Sequence, residues 1–183
     1  MAVCDDKPEH NNPWVRIIIV NYNSGDYLRQ CIDGLLEQTF QNFEVVLVDN
    51  GSNDGSLEKT KIDDPRFRII QAGENLGFAK ANNIGAQACH APWIATLNPD
   101  AVPERDWLNA LHDATMMYPQ TAMFGSTQLM LEDPTRLDGF GDAYSFLGIP
   151  WRGGHGQPID DAHITGEAFS PCAAAALYSR EAF

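Results

Sequence analysis

"VRIIIVNYNSGDYLRQCIDGLLEQTFQNFEVVLVDNGSNDGS", Val15 to Ser56, holds two apolar runs whose reading decides the fold. Ile17 to Val20 is a β-branched run between Pro13 and Asn21. It is continuously apolar rather than alternating, which is the pattern of a strand buried on both faces. Phe43 to Val48 repeats that pattern and stops at Asp49-Asn50-Gly51-Ser52. Between the two, Tyr27, Leu28, Cys31, Ile32, Leu35 and Leu36 recur at helical spacing and make one apolar face. Ser24 is the expected N-cap of this helix, with Asp26 in its first turn facing the helix dipole.

Outward from this unit the alternation continues. A short helix is expected over Ser56 to Ile62, a strand over Phe67 to Ile70, and a helix rich in Ala and Asn over Gly77 to Cys89. Trp93 to Leu97 is the fourth strand and Glu104 to Met117 the next helix, with Trp107, Leu108, Leu111 and Ala114 on one side. Ala122 to Leu131 reads as a fifth strand and Ala173 to Tyr178 as a further buried one. Strands alternating with helices predict an α/β fold, a mostly parallel sheet with helices on both faces. In such sheets ligands sit beyond the carboxyl ends of the strands. Those ends are Asn21-Tyr22-Asn23, Asp49-Asn50, Gln71 to Asn75 and Asn98-Pro99-Asp100, all polar and all expected to face one crevice.

Two segments stand outside this order. Residues 1–13 are polar and acidic, and are expected to be a disordered lead without the marks of a signal peptide. Asp133 to His163 carries many Gly, Pro and Asp with little periodicity, which is long for a structureless loop. Ser179 is placed to cap a helix opening at Arg180, and the chain ends at Phe183. The expectation is a domain over residues 14–183, cut inside an element.

The 183 residues are 44% hydrophobic, enough for one domain with a proper core. Net charge is −13, from 12 basic and 25 acidic residues, the wrong sign for a nucleic-acid surface. An anionic ligand would need a metal, backbone N–H groups or a few basic side chains to hold it. Cys4, Cys31, Cys89 and Cys172 are scattered, so neither a zinc site nor a disulfide framework is indicated. No stretch approaches the roughly 20 apolar residues of a membrane span, and a cytoplasmic location is the expectation.

Three polar stretches invite chemical readings. In "VDNGSNDGS", Val48 to Ser56, Asp49 stands at a strand end where it could accept from a nucleobase N–H or a ribose hydroxyl; a plain turn explains the stretch equally well. "ENLGFAKANNIG", Glu74 to Gly85, tolerates Gly77, Gly85 and the pair Asn82-Asn83, all poor inside helices. Gly77 would allow close backbone approach and Asn82 would hydrogen-bond a base or a loop, while tight packing of helix on sheet also accounts for Gly85. In "NPDA", Asn98 and Asp100 would share a face of an extended segment, an oxygen pair suited to Mg²⁺ or Mn²⁺. A turn is the alternative. The five His show no metal spacing.

Together these stretches resemble the family 2 glycosyltransferases, which have the GT-A fold. The opening unit, "ENLGFAKANNIGAQ" and "WIATLNPDAVP" follow one another in the family's order over about residues 14–183. The subgroup most similar is the rhamnosyltransferase-like one, with "LNPD" at the family's Asp-x-Asp position. The resemblance implies that Asn21, Tyr22 and Asn23 line a nucleotide pocket, that Asp49 binds base or ribose, and that Asp54 and Asn82 sit nearby. It implies that Asp100, with Asn98 beside it, holds a Mg²⁺ or Mn²⁺ ion on the donor's diphosphate. The implied function is inverting transfer of a sugar, rhamnose in that subgroup, from a dTDP- or UDP-sugar to a saccharide or lipid-linked acceptor in cell-surface polysaccharide synthesis. A lipid-linked acceptor would place the protein peripherally at the inner membrane face. Asn98 departs from the family's first Asp and brings less charge to the ion. The family's catalytic base lies in an acidic motif after the segment resembling "CAAAALYSREAF", so no catalytic residue is assigned; Asp160 and Asp161 lie near in sequence alone.

The rival from another class is a sugar-nucleotide binding module without a base. A dinucleotide-binding dehydrogenase lacks support, because Asn21-Tyr22-Asn23-Ser24-Gly25 stands where a G-x-G-x-x-G should follow strand one. A nucleotidyltransferase would want basic residues in that loop, and the nearest is Arg29.

Overall fold

The computed structural model describes residues 12–159 and 166–183. The expected lead over residues 1–13 lies almost wholly outside the described residues, as do Asp160 and Asp161.

All four expected parallel strands form: β1 (Val15–Asn21), β2 (Phe43–Asp49), β3 (Phe67–Gln71) and β4 (Trp93–Leu97). They alternate with α1 (Tyr27–Leu36), α2 (Ser56–Lys59) and α3 (Phe78–Ala86), and α4 (Trp107–Met117) follows β4. One six-stranded sheet results, in the order β3-β2-β1-β4-β10-β5, where β5 is Met123–Gly125 and β10 is Ala175–Ser179. Strand β10 is antiparallel to both of its neighbours. Every other pairing in the sheet is parallel.

Alternation along β1 divides the core. Val15, Ile17 and Ile19 point to one face, where Leu28, Cys31, Ile32 and Leu35 of α1 meet Leu108 and Leu111 of α4. Ile18 and Val20 point to the other, against Ala81 of α3. Helices therefore cover both faces, as continuous apolar strands require. Burial of side chains of this size stabilises by about 1.5–3 kcal/mol each. Gly85 is needed for the α3 contact: a Cβ there would stand 2.5 Å from Ile18 Cγ2.

Arg16 lies on the α3 face of β1 and is buried. Its guanidinium pairs with Glu44 at 2.7 Å and donates to the carbonyls of Gly85, Gln87 and Ala88 at 3.3, 2.8 and 3.4 Å. These carbonyls belong to the end of α3, where a cation satisfies otherwise unpaired acceptors. Gln38, also buried, bridges α1 to α4. It donates to Gly34 O and Glu104 O, and its Oε1 accepts from Leu108 N at 3.0 Å.

Several expected boundaries are corrected. Helix α1 begins at Tyr27 with Asp26 at its N-cap position and no side-chain cap, so Ser24 is not the cap. Gly25, at φ +57°, turns the chain so that its N–H meets Asp54 instead. Helix α4 starts at Trp107 rather than Glu104, because the Glu104 and Arg105 carbonyls are taken by Gln38 and Thr39. Ala122 to Leu131 is not one strand: β5 ends at Gly125, Ser126 N makes one more bond to the sheet at Ala175 O of β10, and the chain then pairs elsewhere as β6 (Gln128–Leu129). The Gly-rich stretch after it is two small hairpin-like sheets, β6 with β7 (Leu137–Gly139) and β8 (Asp142–Tyr144) with β9 (Pro150–Arg152). Ser179 does take a cap position, its Oγ accepting from Ala182 N at 3.3 Å, over a single turn. Among the described residues no helix is long and apolar enough to cross a membrane.

Candidate nucleotide-binding cleft

The chain proceeds from β1 to β2 on one side and pairs β1 with β4 on the other, so the strand order reverses beside β1. A crevice at such a reversal is where open α/β sheets bind ligands. Here it is a cleft of about 980 Å³. Its walls are the loop after β1 (Tyr22 to Tyr27), Asn50 after β2, Asn75 to Phe78 before α3, and Asn98-Pro99-Asp100 after β4.

Under the cleft, Asn21 is fully buried. Its Nδ2, with two N–H groups to share, lies within hydrogen-bond distance of three acceptors: Asp49 Oδ1 at 2.9 Å and the hydroxyls of Ser52 and Ser56 at 3.0 Å each. Its Oδ1 is buried and has no hydrogen-bond partner among the described residues. Asp49 is itself 6% exposed, and its second oxygen accepts from Ser52 N at 3.2 Å. Neither residue lines the cleft; both brace the loops that do.

Those loops are tied to each other. Asn23 N donates to Ser52 Oγ, and Asn53 N donates back to Asn23 Oδ1 at 2.9 Å. The Asp54 carboxylate accepts from Gly25 N at 2.8 Å and from Ser56 N at 3.0 Å. The Ser56 and Gly25 hydrogen bonds hold its carboxyl below the usual carboxylate range. On the far wall, Asn50 Nδ2 donates to Asn75 Oδ1, and Asn50 Oδ1 accepts from Leu76 N, both at 2.9 Å. Gly51, at φ +80°, permits this approach: a Cβ would stand 3.0 Å from the Glu74 backbone. Gly77 opens α3 at φ +80°, so the requirement there is backbone conformation rather than close approach.

Asn98 and Asp100 do not lie on an extended segment. Ala101 N donates to Asn98 O at 3.1 Å, which closes a β-turn over Pro99 and Asp100. Pro at the second position of such a turn is favoured because its φ is already set. Asn98 and Asp100 nonetheless both line the cleft. Beneath them the buried Cys31 thiol donates to Asn98 O at 3.5 Å. Burial, and after it the Asp100 charge, pushes that thiol up to about 12.

Of the residues singled out from sequence, Tyr22, Asn23, Asn98 and Asp100 line the cleft. Asn21, Asp49 and Asp54 lie behind its wall. Asn82, 5% exposed, donates to Phe78 O at 3.0 Å and borders a separate small pocket of about 240 Å³. Sequence reading missed Asp26, Tyr27, Gln30 and Phe78 as lining residues. Asn50 and Asn75 are two of the strand-end residues expected to face the crevice, and both line it.

The cleft carries two carboxylates, Asp26 and Asp100, and five amides, Asn23, Gln30, Asn50, Asn75 and Asn98. Three aromatic rings, Tyr22, Tyr27 and Phe78, are half-exposed along it. Among the described residues no Lys, Arg or His lines it.

The sequence profile of glycosyl transferase family 2 matches residues 16–183. This chain belongs to that family. The family-2 chain is 31% identical over 101 residues to glycosyltransferase GlyG of Streptococcus pneumoniae, covering 54% of this chain and 34% of that protein. The chain thus spans about a third of the length of that relative. Among solved structures, residues 1–349 of S. aureus TarS superpose with a TM-score of 0.62 at 16% identity, over 91% of this chain and 47% of that one. The mannosyltransferase PcManGT from Pyrobaculum calidifontis, in complex with GDP-Man and Mn²⁺, superposes with a TM-score of 0.56 at 21% identity, over 68% of this chain and 38% of that one. The family-2 chain has the α/β GT-A fold of these neighbours.

Proposed function

We propose that this cleft binds the nucleoside diphosphate of a sugar donor through a shared divalent cation, for glycosyl transfer. The observation that carries the reading is the charge of the lining: two carboxylates and, among the described residues, no basic side chain. A diphosphate entering such a cleft meets like charge, and only a cation between them reverses the sign. The complex of the PcManGT mannosyltransferase with GDP-Man and Mn²⁺ supports the reading from outside the chain.

The residues present fit a cation shared with a diphosphate. Asp100 and Asn98 offer hard oxygen donors from one turn, and Mg²⁺ takes one or two carboxylates where phosphates and water complete its shell. Among the described residues no group of three or more His, Cys, Asp or Glu could hold the ion unaided. When bound, the ion would stabilise the negative charge that grows on the departing diphosphate.

The chain's own residues supply the rest. Tyr22 presents a half-exposed ring as a stacking face for the base. Asp49, held by Asn21 beneath the cleft, braces the loops around the base pocket, and Asn23 lies on its wall. Asn82 supports the Phe78 end of the cleft through the Phe78 carbonyl. The proposal extends to inverting displacement onto a saccharide or lipid-linked acceptor, with rhamnose carried on dTDP as the subgroup choice and UDP sugars as the alternative. It extends to a position at the inner membrane face. The acceptor-activating base is assigned to no residue of this chain.

Calorimetric titration with UDP, dTDP, GDP and NAD, each with and without Mn²⁺, tests the reading. One pyrimidine diphosphate should bind at least about tenfold more tightly with Mn²⁺. Binding indifferent to Mn²⁺, or preference for NAD, would overturn it. Binding without sugar turnover would favour the module lacking a base.

A further inference from the structure

We infer that Asp54 is a positioning residue: from behind the cleft wall it fastens the turn through Asn23 and Gly25 and so holds Tyr22 in the cleft, without itself touching the nucleotide. The inference rests on the nucleotide-binding reading above.

Tyr22 lines the cleft but is held by nothing of its own: among the described residues its hydroxyl makes no side-chain hydrogen bond, and its ring is half-exposed. Its place is set by the backbone on either side. Before it stands Asn21, anchored beneath the cleft to Asp49, Ser52 and Ser56. After it the chain takes a shape that L residues rarely adopt, with Asn23 at φ +53° and Gly25 at φ +57°. Asn is one of few side chains that tolerate this region.

This unusual turn is fastened from outside. The Asp54 carboxylate spans the two loops, one oxygen on Gly25 N and the other on Ser56 N. Asn23 exchanges hydrogen bonds with Ser52 and Asn53 in both directions. Asp54, Ser52 and Asn53 do not line the cleft, whereas Tyr22, Asn23 and Gly25 do. The fasteners thus lie behind the wall and the fastened residues on it. Loss of the carboxylate frees the Gly25 amide and lets the Tyr22 segment move, without removing any group from the turn after β4 where Asn98 and Asp100 stand.

A double-mutant cycle on the full chain tests this, with UDP and Mn²⁺ as the probe and Mn²⁺-pyrophosphate as the control. Asp54→Ala should weaken UDP about tenfold, yet less than about twofold in a Tyr22→Ala background, because a residue acting through Tyr22 has nothing left to position. Pyrophosphate binding should not change. Asp54→Asn should resemble Asp54→Ala, since an amide nitrogen cannot accept the second N–H. Additive losses in the cycle, or equal losses for UDP and pyrophosphate, would overturn the inference. Hydrogen exchange supplies the second readout: residues 22–26 should exchange at least about tenfold faster in Asp54→Ala, with residues 43–49 unchanged. If the parent chain binds no nucleotide, the functional reading fails alone, and unaltered exchange over residues 22–26 then overturns the positioning role separately.

Discussion

Asn21 and Asp49 stand opposite each other at the ends of β1 and β2, and the Asn21 amide donates to the Asp49 carboxylate at 2.9 Å. One neutral side chain thereby joins two adjacent parallel strands where their loops diverge. The same amide reaches two serines of the second loop, so it fixes both the acid and the turn that follows it.

Replacing Asn21 by Ala should therefore cost about 1–3 kcal/mol, the penalty of leaving buried partners unsatisfied. Asn21→Asp should cost more, because it sets a second carboxylate against Asp49. Urea unfolding of the two variants measures both, and a cost below about 0.5 kcal/mol for Asn21→Ala would show that water replaces the amide.

Arg16 is the larger stability element. Arg16→Met should lose about 3 kcal/mol, since it strands Glu44 and three carbonyls at the end of α3. The midpoint of urea unfolding should fall with no change in the slope. Hydrogen exchange should locate the loosened region at residues 84–88.

Gly85→Ala sets helix propensity against packing. Ala gains about 1 kcal/mol in a helix. Its methyl would stand 2.5 Å from Ile18 Cγ2, and overpacking typically costs about 1–3 kcal/mol. The net expectation is a loss of about 1 kcal/mol by thermal unfolding, and a stabilised variant would show that α3 shifts freely over the sheet.

Asp100→Ala should abolish Mn²⁺-dependent nucleotide binding and leave the melting temperature unchanged, because Asp100 is exposed and outside the core. Asn98→Asp should tighten Mn²⁺ by adding a charged ligand on the same turn. Manganese titration of both variants decides; a weaker site in Asn98→Asp would show that this side chain faces away.

Asp64 gives a pH signature. Its hydrogen bonds and charge pairing with Arg66, 2.7 Å away, hold its carboxyl below the usual range. A depressed folded value means that its contribution is complete above the unfolded value near 3.9 and is lost as pH falls through the folded value. The pair is partly exposed, so the contribution should be about 1 kcal/mol or less. Stability curves of the parent and Asp64→Asn should run parallel above pH 4 and converge below it.

The four parallel strands and their helices were legible because β-branched runs and helical spacing are local signals, and Ile17 to Val20 needs no distant partner to be recognised. The crevice was legible for the same reason: polar residues follow every one of those strands. What sequence could not show was which polar side chains face inward. Asp49 and Asp54 look like ligands in a linear reading, yet one is buried under the cleft and the other bridges two loops. The Ser24 cap failed because Gly25 takes a left-handed conformation to meet Asp54, 29 residues away. The single strand expected over 122–131 failed because β5 is short and residues 128–129 pair with β7 in a separate small sheet, a partner that local sequence does not reveal.

Strand β10 sits inside the sheet, between β4 and β5, although the chain reaches it late: Thr96 bonds Ala173 across 77 residues of sequence. Such pairing has high contact order and forms slowly. During synthesis β4 is made well before its partner, so a growing chain carries an open edge that templates association with other chains. The parallel β3-β2-β1-β4 part of the sheet can thus pair early, while protection of the β4 edge against aggregation waits for β10.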